Sequence, residues 1–234
     1  MFSLDWLILV AFMGTVLLLS GVAAWLVVYL SRRVERSRSE LVAQIASSLG
    51  FSFEAQVAAI VPTGLAVLPL FQRGHARKTR NFMRKPVQMG EVTLFDFEYI
   101  VGVGKYKFRH RHTVAAFRAD TSVHPDFELY PKSIVHRLSM LFGSRHILLD
   151  SHPAFSDSYV LRGDDADAVQ AMFSAQILQF LEDDPGWSIE SRQNWIAFYR
   201  GQRVAPTELE AYVAAVTNLF GLFMTESQRR RRSL

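Results

Sequence analysis

The sequence contains no cysteine, so the chain has no disulfide, no thiolate metal site and no cysteine nucleophile. Two catalytic patterns are also missing from it. These are the Gly-x-Ser-x-Gly elbow of serine hydrolases and the Gly-x-x-x-x-Gly-Lys-Ser/Thr spacing of phosphate loops. The Gly-Val-Gly-Lys stretch at 102–105 joins two predicted strands, which indicates a turn. We therefore predict no catalytic residue and no cofactor, and these absences together disfavour an enzyme.

Charge is absent from a long apolar stretch near the N-terminus, Trp6 to Leu30. A helix rises ~1.5 Å per residue and the hydrocarbon core is ~30 Å thick, so this stretch is long enough to span a bilayer. A signal peptide would begin with a basic region, but the only charged side chain before this stretch is Asp5. The pattern predicts an uncleaved transmembrane anchor over residues 1–31, which includes a short N-terminal flank.

The ends of this anchor predict its orientation. Aromatic and arginine side chains suited to a membrane interface occur there: Trp6, Trp25, Tyr29, Arg32 and Arg33. Arginines follow the apolar stretch and no basic side chain precedes it, so the positive-inside rule places the N-terminus outside and the main domain in the cytoplasm. We expect a single-pass protein of the cell (inner) membrane, with the lipid bilayer as its first partner.

Three segments separate the anchor from the first clear strand. Residues 32–50 predict a juxtamembrane helix, because apolar residues recur on one helical face up to Gly50. Residues 57–71 are apolar but short and interrupted by proline, which predicts buried chain or a segment lying against the membrane. Residues 72–85 contain six cations and no acid, and we interpret them as an exposed connector.

From residue 91 onward the pattern is that of strands joined in hairpins, with helical segments between them. The predicted strands are 91–101, 105–117, 127–130, 146–150, 159–163, 187–191 and 194–200, and the predicted helices are 133–142, 164–181 and 207–223. The fold class is therefore α+β. Antiparallel hairpins with packed helices form a cytoplasmic domain over residues 51–224, and a basic disordered tail follows over residues 225–234.

The hairpin around Gly102 contains a signal for its register. A two-residue loop at Gly102-Val103 pairs aromatic residues on one face and opposite charges on the other. The pairs are Tyr99–Tyr106, Phe97–Phe108, Glu98–Lys107 and Asp96–Arg109, each worth ~0.2–1 kcal/mol. This register leaves Lys105 and Arg111 without an acidic partner.

Two sets of residues are candidate binding sites. A basic set could bind an anionic surface: Arg73, Arg77, Lys78, Arg80, Arg84, Lys85, Lys105 and Arg111. Near a membrane such cations are attracted to anionic lipid head groups, although solvated loops explain them as well. Nucleic acid is not an expected partner, because the aromatic residues lie on the opposite strand face. His110 and His112 share a strand face, but a metal site needs further ligands, so no metal is predicted.

Three stretches carry a resemblance to known sequences: TLFDFEYIVGVGKYKFRHRHTVAAF (93–117), FELYPK (127–132) and HPAFSDSYVLRGDDADAVQAMF (152–173). They resemble an uncharacterised group of bacterial membrane proteins that carry a domain of unknown function after one or two spans. The resemblance implies membrane association, and it implies no activity, ligand or site residue.

Three functions are compatible with these patterns. The preferred one is a non-enzymatic single-pass membrane protein whose cytoplasmic domain mediates protein interaction or assembly of a membrane complex. The first alternative is an enzyme or ligand-binding domain with a pocket near residues 105–112 and 151–158. The second alternative is binding of anionic lipid or another polyanion at the membrane surface. The first function is preferred because no nucleophile, base and oxyanion donors converge in the sequence. The expected partners are the bilayer, another protein and anionic lipid head groups.

Overall fold

A computed structural model describes residues 4–57, 61, 64–87, 90–119, 124–135, 146–149 and 152–233. The chain divides into two compact units, Met1–Val42 and Ala43–Leu234. Each unit is described by itself.

The first unit consists of the N-terminal part of one long helix, α1, which runs from Leu4 to Ser48. The sequence contains no proline or glycine between Leu30 and Ser48, so nothing ends the helix where the predicted anchor meets the predicted juxtamembrane helix. In the described residues α1 is the one helix long and apolar enough to cross a membrane, which makes it a candidate span. Within it the rings of Trp25 and Tyr29 stack with their centroids 5.4 Å apart.

The second unit is built on a sheet of nine antiparallel strands within the described residues. The strands are β1 (Ser52–Gln56), β2 (His75–Val87), β3 (Gly90–Val101), β4 (Phe108–Ala119), β5 (Phe127–Pro131), β6 (His146–Ile147), β7 (Tyr159–Gly163), β8 (Ser188–Arg192) and β9 (Trp195–Tyr199). Their order in the sheet is β1-β2-β3-β4-β9-β8-β5-β7-β6. The predicted mixture of antiparallel hairpins and helices is confirmed.

The helices of the second unit are α2 (Lys132–Val135), α3 (Pro153–Ser158), α4 (Ala166–Gln170), α5 (Ala175–Asp183) and α6 (Leu209–Ser233). Two helices, α4 and α5, replace the single helix predicted over 164–181. Asp165 caps α4 by accepting a hydrogen bond from the Ala168 amide at 2.9 Å. The predicted helix 133–142 lies mostly outside the described residues.

The sheet separates two apolar cores. On one face, Phe95, Phe97 and Tyr99 of β3 are buried under two short 3-10 helices, Leu65–Val67 and Pro69–Gln72. The ring of Phe71 lies 4.9 Å from that of Phe97. On the other face α6 packs, with the rings of Phe117 and Phe220 4.1 Å apart. In the described part of segment 57–71, Leu65, Leu68, Leu70 and Phe71 are buried, which fits buried chain, one of its two interpretations.

Segment 72–85 is not an exposed connector, because most of it forms β2 in the interior of the sheet. Thr79, Asn81 and Met83 are buried, but a shift in the register between Arg80 and Met83 puts Thr79 and Met83 on opposite faces of the sheet. Two of these three side chains are polar and the register shift breaks the period of two, so the segment has no apolar alternation. The many cations of residues 75–87 therefore suggested a loop, although the segment is a strand.

The predicted disordered tail also has a different structure, since α6 continues to Ser233. Glu226 and Ser227 are buried, and the Ser227 hydroxyl donates to the Phe223 carbonyl at 2.9 Å. Arg230 donates a hydrogen bond to the Ala168 carbonyl. These contacts extend the helix past Phe223, where the apolar stripe of the sequence stops.

Candidate functional site

The hairpin formed by β3 and β4 has a wider loop than the sequence predicted. Tyr99 lies opposite His110, Glu98 opposite Arg111 and Val101 opposite Phe108, so the predicted two-residue loop and all four predicted pairs are wrong. The loop runs from Gly102 to Lys107, and both of its glycines have positive φ, 89° and 60°. A Cβ on Gly102 would lie 2.0 Å from the Tyr106 carbonyl oxygen, so this turn requires glycine.

The predicted sheet face of each side chain is nevertheless correct. Each residue of β3 lies opposite a residue of β4 that is four positions later in the sequence than predicted. Side chains alternate with a period of two, and an even shift keeps every residue on its face. The observed register stacks Tyr99 on His110 with ring centroids 4.9 Å apart. It also places Glu98 2.8 Å from Arg111 and 3.4 Å from Arg109. Arg111, predicted to lack an acidic partner, is therefore paired.

The basic set does not form one surface. Arg84 lies 3.8 Å from Glu91, and the Lys85 ammonium donates to the Leu49 carbonyl at 2.9 Å. Arg77 donates to backbone carbonyls of the 72–74 turn. Lys78 and Lys105 are exposed and Arg80 is half-buried. Arg73, in contrast, is only 8% exposed, which removes it from any anion-binding surface.

Arg73 instead belongs to a buried group of polar side chains, here called the Arg73 cluster: Arg73, Tyr130, Glu190 and Tyr199. Arg73 follows a 3-10 helix, Tyr130 lies on β5, Glu190 on β8 and Tyr199 on β9. Glu190 Oε1 accepts hydrogen bonds from Arg73 Nη2 at 2.8 Å and from the Tyr130 and Tyr199 hydroxyls at 2.7 Å each. Its Oε2 accepts from the Leu70 amide at 2.8 Å.

The protonation of this cluster follows from burial and from its neighbours. Burial lowers the pKa of Arg73, but Tyr199, Glu190 and Tyr130 offset this and hold the pKa above its usual value. The guanidinium therefore stays charged. Burial also raises the pKa of Tyr199 and of Tyr130, so both hydroxyls keep their protons and act as donors.

The Arg73 cluster is buried and its polar groups bind one another. Three donors converge on Glu190 Oε1 and the Leu70 amide donates to Oε2, so both oxygens of the carboxylate are hydrogen-bonded within the protein. Its side chain is 0% exposed, so neither water nor substrate has a path to it. The cluster instead fixes the segment before β2 onto three strands of the sheet. We assign it a structural role.

His110 and His112 lie beside this cluster on the same sheet face. The Nδ1 atom of His112 is 2.7 Å from the Arg200 carbonyl oxygen. Burial lowers the pKa of His112 to about 4, so the ring is neutral near pH 7 and Nδ1 donates. No group of three or more potential metal ligands occurs among the described residues. The His-x-His pair is thus part of an aromatic stack with Tyr99.

A cavity of about 430 Å³ lies near α3. Its lining residues are Leu148, Leu149, His152, Gln170, Phe173, Ala175 and Leu178. Of these lining residues His152 belongs to the predicted pocket segment 151–158, and none belongs to 105–112. Among these described lining residues His152 is the one titratable side chain.

Comparison with known proteins gives a match in fold and none in sequence. The chain matches no protein-family model and no curated protein, which is consistent with its resemblance to an uncharacterised family. Its structure is similar to the crystal structure of the mycobacterial trehalose monomycolate transport factor A, TtfA. The TM-score is 0.59, and the match covers 80% of this chain and 94% of that chain at 14% sequence identity. At that identity the likeness shows a shared fold alone.

The sequence analysis missed Tyr130, Glu190 and Tyr199. Glu190 lies on a strand with alternating side chains, where an acidic residue normally faces solvent. Its partner Arg73 is 117 positions away, and no spacing rule connects residues that a long-range fold brings together. Neither residue stands out locally, because Gln72 separates Arg73 from the apolar segment and Glu190 lies between Ile189 and Ser191.

Proposed function

We propose that the chain is an accessory component of a membrane complex, held in the cell membrane by α1 and contacting another protein through the unit Ala43–Leu234. The observation that carries this proposal is the exposure of α1. Apolar side chains along the uncharged stretch, including Phe12, Leu17 and Val27, are exposed. A continuous apolar surface of that length matches the hydrocarbon core of a bilayer.

Two observations support the role in a complex. The chain shares its fold with a protein titled a transport factor, and a supporting role beside a membrane transport system is what we infer for this chain. In addition, the side chains of the Arg73 cluster are buried, so we infer that this polar group serves the fold. Function then belongs to the surface of the domain.

We further propose that this domain faces the cytoplasm. Arg32, Arg33, Arg36 and Arg38 follow the uncharged stretch and no basic side chain precedes it, which is the charge asymmetry of an N-out anchor. A reporter enzyme fused after Leu234 tests this orientation. Activity of a reporter that works only in the cytoplasm is expected, and activity of one that works only outside would overturn it.

Affinity purification of the full-length chain in mild detergent tests the role in a complex. We expect membrane proteins to co-purify with the wild-type chain. Leu17→Arg places a charge in the apolar stretch at a cost of about 2.5–3.5 kcal/mol for insertion, so we expect it to lower membrane retention and recovery of partners. Leu17→Ile is the matched control and should behave as wild type. Recovery of the same proteins with an unrelated single-pass chain would contradict the proposal.

A further inference from the structure

The end of the β3–β4 hairpin, here called the hairpin tip (residues 102–109), exposes large apolar side chains. Val103 is 77% exposed, Tyr106 69% and Phe108 64%. In the described part of the second unit, two other large apolar side chains are exposed, Val87 and Leu148, and each lies at a separate place. Folding of the domain buries none of the three tip residues, so their apolar surface is available to an external partner.

The same tip is basic. Lys105, Lys107 and Arg109 are exposed, and the sequence from 102 to 109 contains no acidic residue. The Lys105 ammonium lies 5.9 Å from the centre of the Tyr106 ring. Arg109 is 3.4 Å from Glu98, but that carboxylate is shared with Arg111 at 2.8 Å. Cationic and apolar side chains therefore alternate along one exposed turn.

We propose that the hairpin tip inserts into the head-group layer of an anionic membrane, with Val103, Tyr106 and Phe108 reaching toward the acyl chains and Lys105 and Lys107 contacting lipid phosphates. Aromatic side chains favour the membrane–water interface, and each cation near an anionic surface contributes about 1 kcal/mol. An anionic membrane surface offers phosphates to the cations and hydrocarbon to the exposed rings, which fits the mixed character of the tip. The proposal goes beyond the accessory role and requires only that the chain resides in a membrane.

The absence of native cysteine allows a specific test, because a single introduced thiol labels one position. Tyr106→Cys in the full-length chain is labelled with an environment-sensitive fluorophore and reconstituted into two kinds of vesicle. One kind is neutral phosphatidylcholine, and in the other phosphatidylglycerol replaces part of it. Both carry lipids with a nitroxide quencher near the head group. In the anionic vesicles we expect emission at shorter wavelength and quenching at least about twofold above that in neutral vesicles.

Two comparisons make the test specific. Gln176→Cys, at an exposed position of α5, should show the same emission in both kinds of vesicle. Lys105→Gln with Lys107→Gln, in the Tyr106→Cys background, should abolish the preference for anionic lipid. An unchanged thermal transition in detergent establishes that each labelled variant is folded.

The proposal is overturned if the label at position 106 stays in water in the anionic vesicles. It is equally overturned if quenching is the same in neutral and anionic vesicles. Protection of the label only in native membranes would identify a protein partner and would also overturn it. None of these outcomes affects co-purification of membrane proteins with the full-length chain, so this test and that of the accessory role fail separately.

Discussion

Arg73 and the hairpin tip are both basic, yet their environments are opposite. Arg73 is buried and its charge is balanced by Glu190 at 2.8 Å. Lys105 and Lys107 are exposed on a tip that contains no acid. A charge moved out of water needs a partner, because its desolvation costs several kcal/mol. A charge left in water needs none, so the combination of exposed charge and exposed aromatic rings at the tip points to a use other than folding.

Glu190→Gln in the Arg73 cluster should lower the unfolding free energy strongly. It removes the charge that balances Arg73 in a site without solvent, which typically costs about 3–5 kcal/mol. The measurement is the unfolding free energy of the full-length chain in mild detergent, followed by circular dichroism in urea.

Glu182→Gln on the exposed surface of α5 is the matched control, with an expected change within about 0.5 kcal/mol. If Glu190→Gln cost no more than this control, the Arg73 cluster would not be a structural element and the contrast would collapse.

Acidification should lower the stability of the domain through two buried histidines. Burial lowers the pKa of both His112 and His124 to about 4 in the folded state, from the value of 6.5 that is usual for histidine. Between these values the unfolded chain binds protons that the folded chain does not, so stability falls as pH drops through this range. At pH 5 the expected loss is about 2 kcal/mol for each histidine relative to pH 8.

Urea unfolding at pH 8, 6 and 5 measures this dependence. His112→Asn combined with His124→Asn should flatten it between pH 6 and 5, whatever the absolute stability of the variant. A wild-type slope that survives in the double variant would show that other groups titrate.

The register of the hairpin can be tested with paired cysteines. Ile100→Cys with Arg109→Cys places thiols at directly opposed positions, where oxidation should join them and, by closing a short loop, stabilise the domain by roughly 2–3 kcal/mol. Glu98→Cys with Lys107→Cys joins the residues that a two-residue loop would pair. We expect little cross-linking in this second variant, as scored by mass spectrometry, and the reverse result would restore the shorter loop.

The smallest effect on stability is expected at the tip. Tyr106→Ser with Phe108→Ser should change the unfolding free energy by no more than about 0.5 kcal/mol, because both rings are exposed. Phe97→Ala, on the same sheet face as Phe108 but fully buried, should cost about 3–5 kcal/mol. A large loss in the tip variant would mean that these rings support the fold.

The sequence predicts the local structure of this chain better than its long-range contacts. Strand 159–163, the β8–β9 hairpin and the buried stripe of α6 follow from residue periodicity, and the structure contains all of them. The hairpin faces were also predictable, whereas its register was not. Cross-strand pairs of similar energy can be drawn in more than one even register, and the choice depends on loop geometry at Gly102 and Gly104 and on packing under Phe71.

The Arg73 cluster could not be predicted from the sequence for a related reason. Its four side chains come from separate elements, and each is ordinary in its own segment. The tip residues, in contrast, are adjacent in sequence, so the alternation of their aromatic and basic side chains can be seen in the sequence itself. What the structure adds is that the tip lies beyond the paired strands and remains exposed.

The central claim is that this chain works as part of a membrane complex. Native gel electrophoresis of the full-length chain, extracted from its own membranes in mild detergent, tests this most directly. We expect a band well above that of the purified chain alone, and a shift of this band to the lower position when the membrane is treated with a harsh detergent. Migration of the freshly extracted chain at the position of the purified chain would contradict the claim.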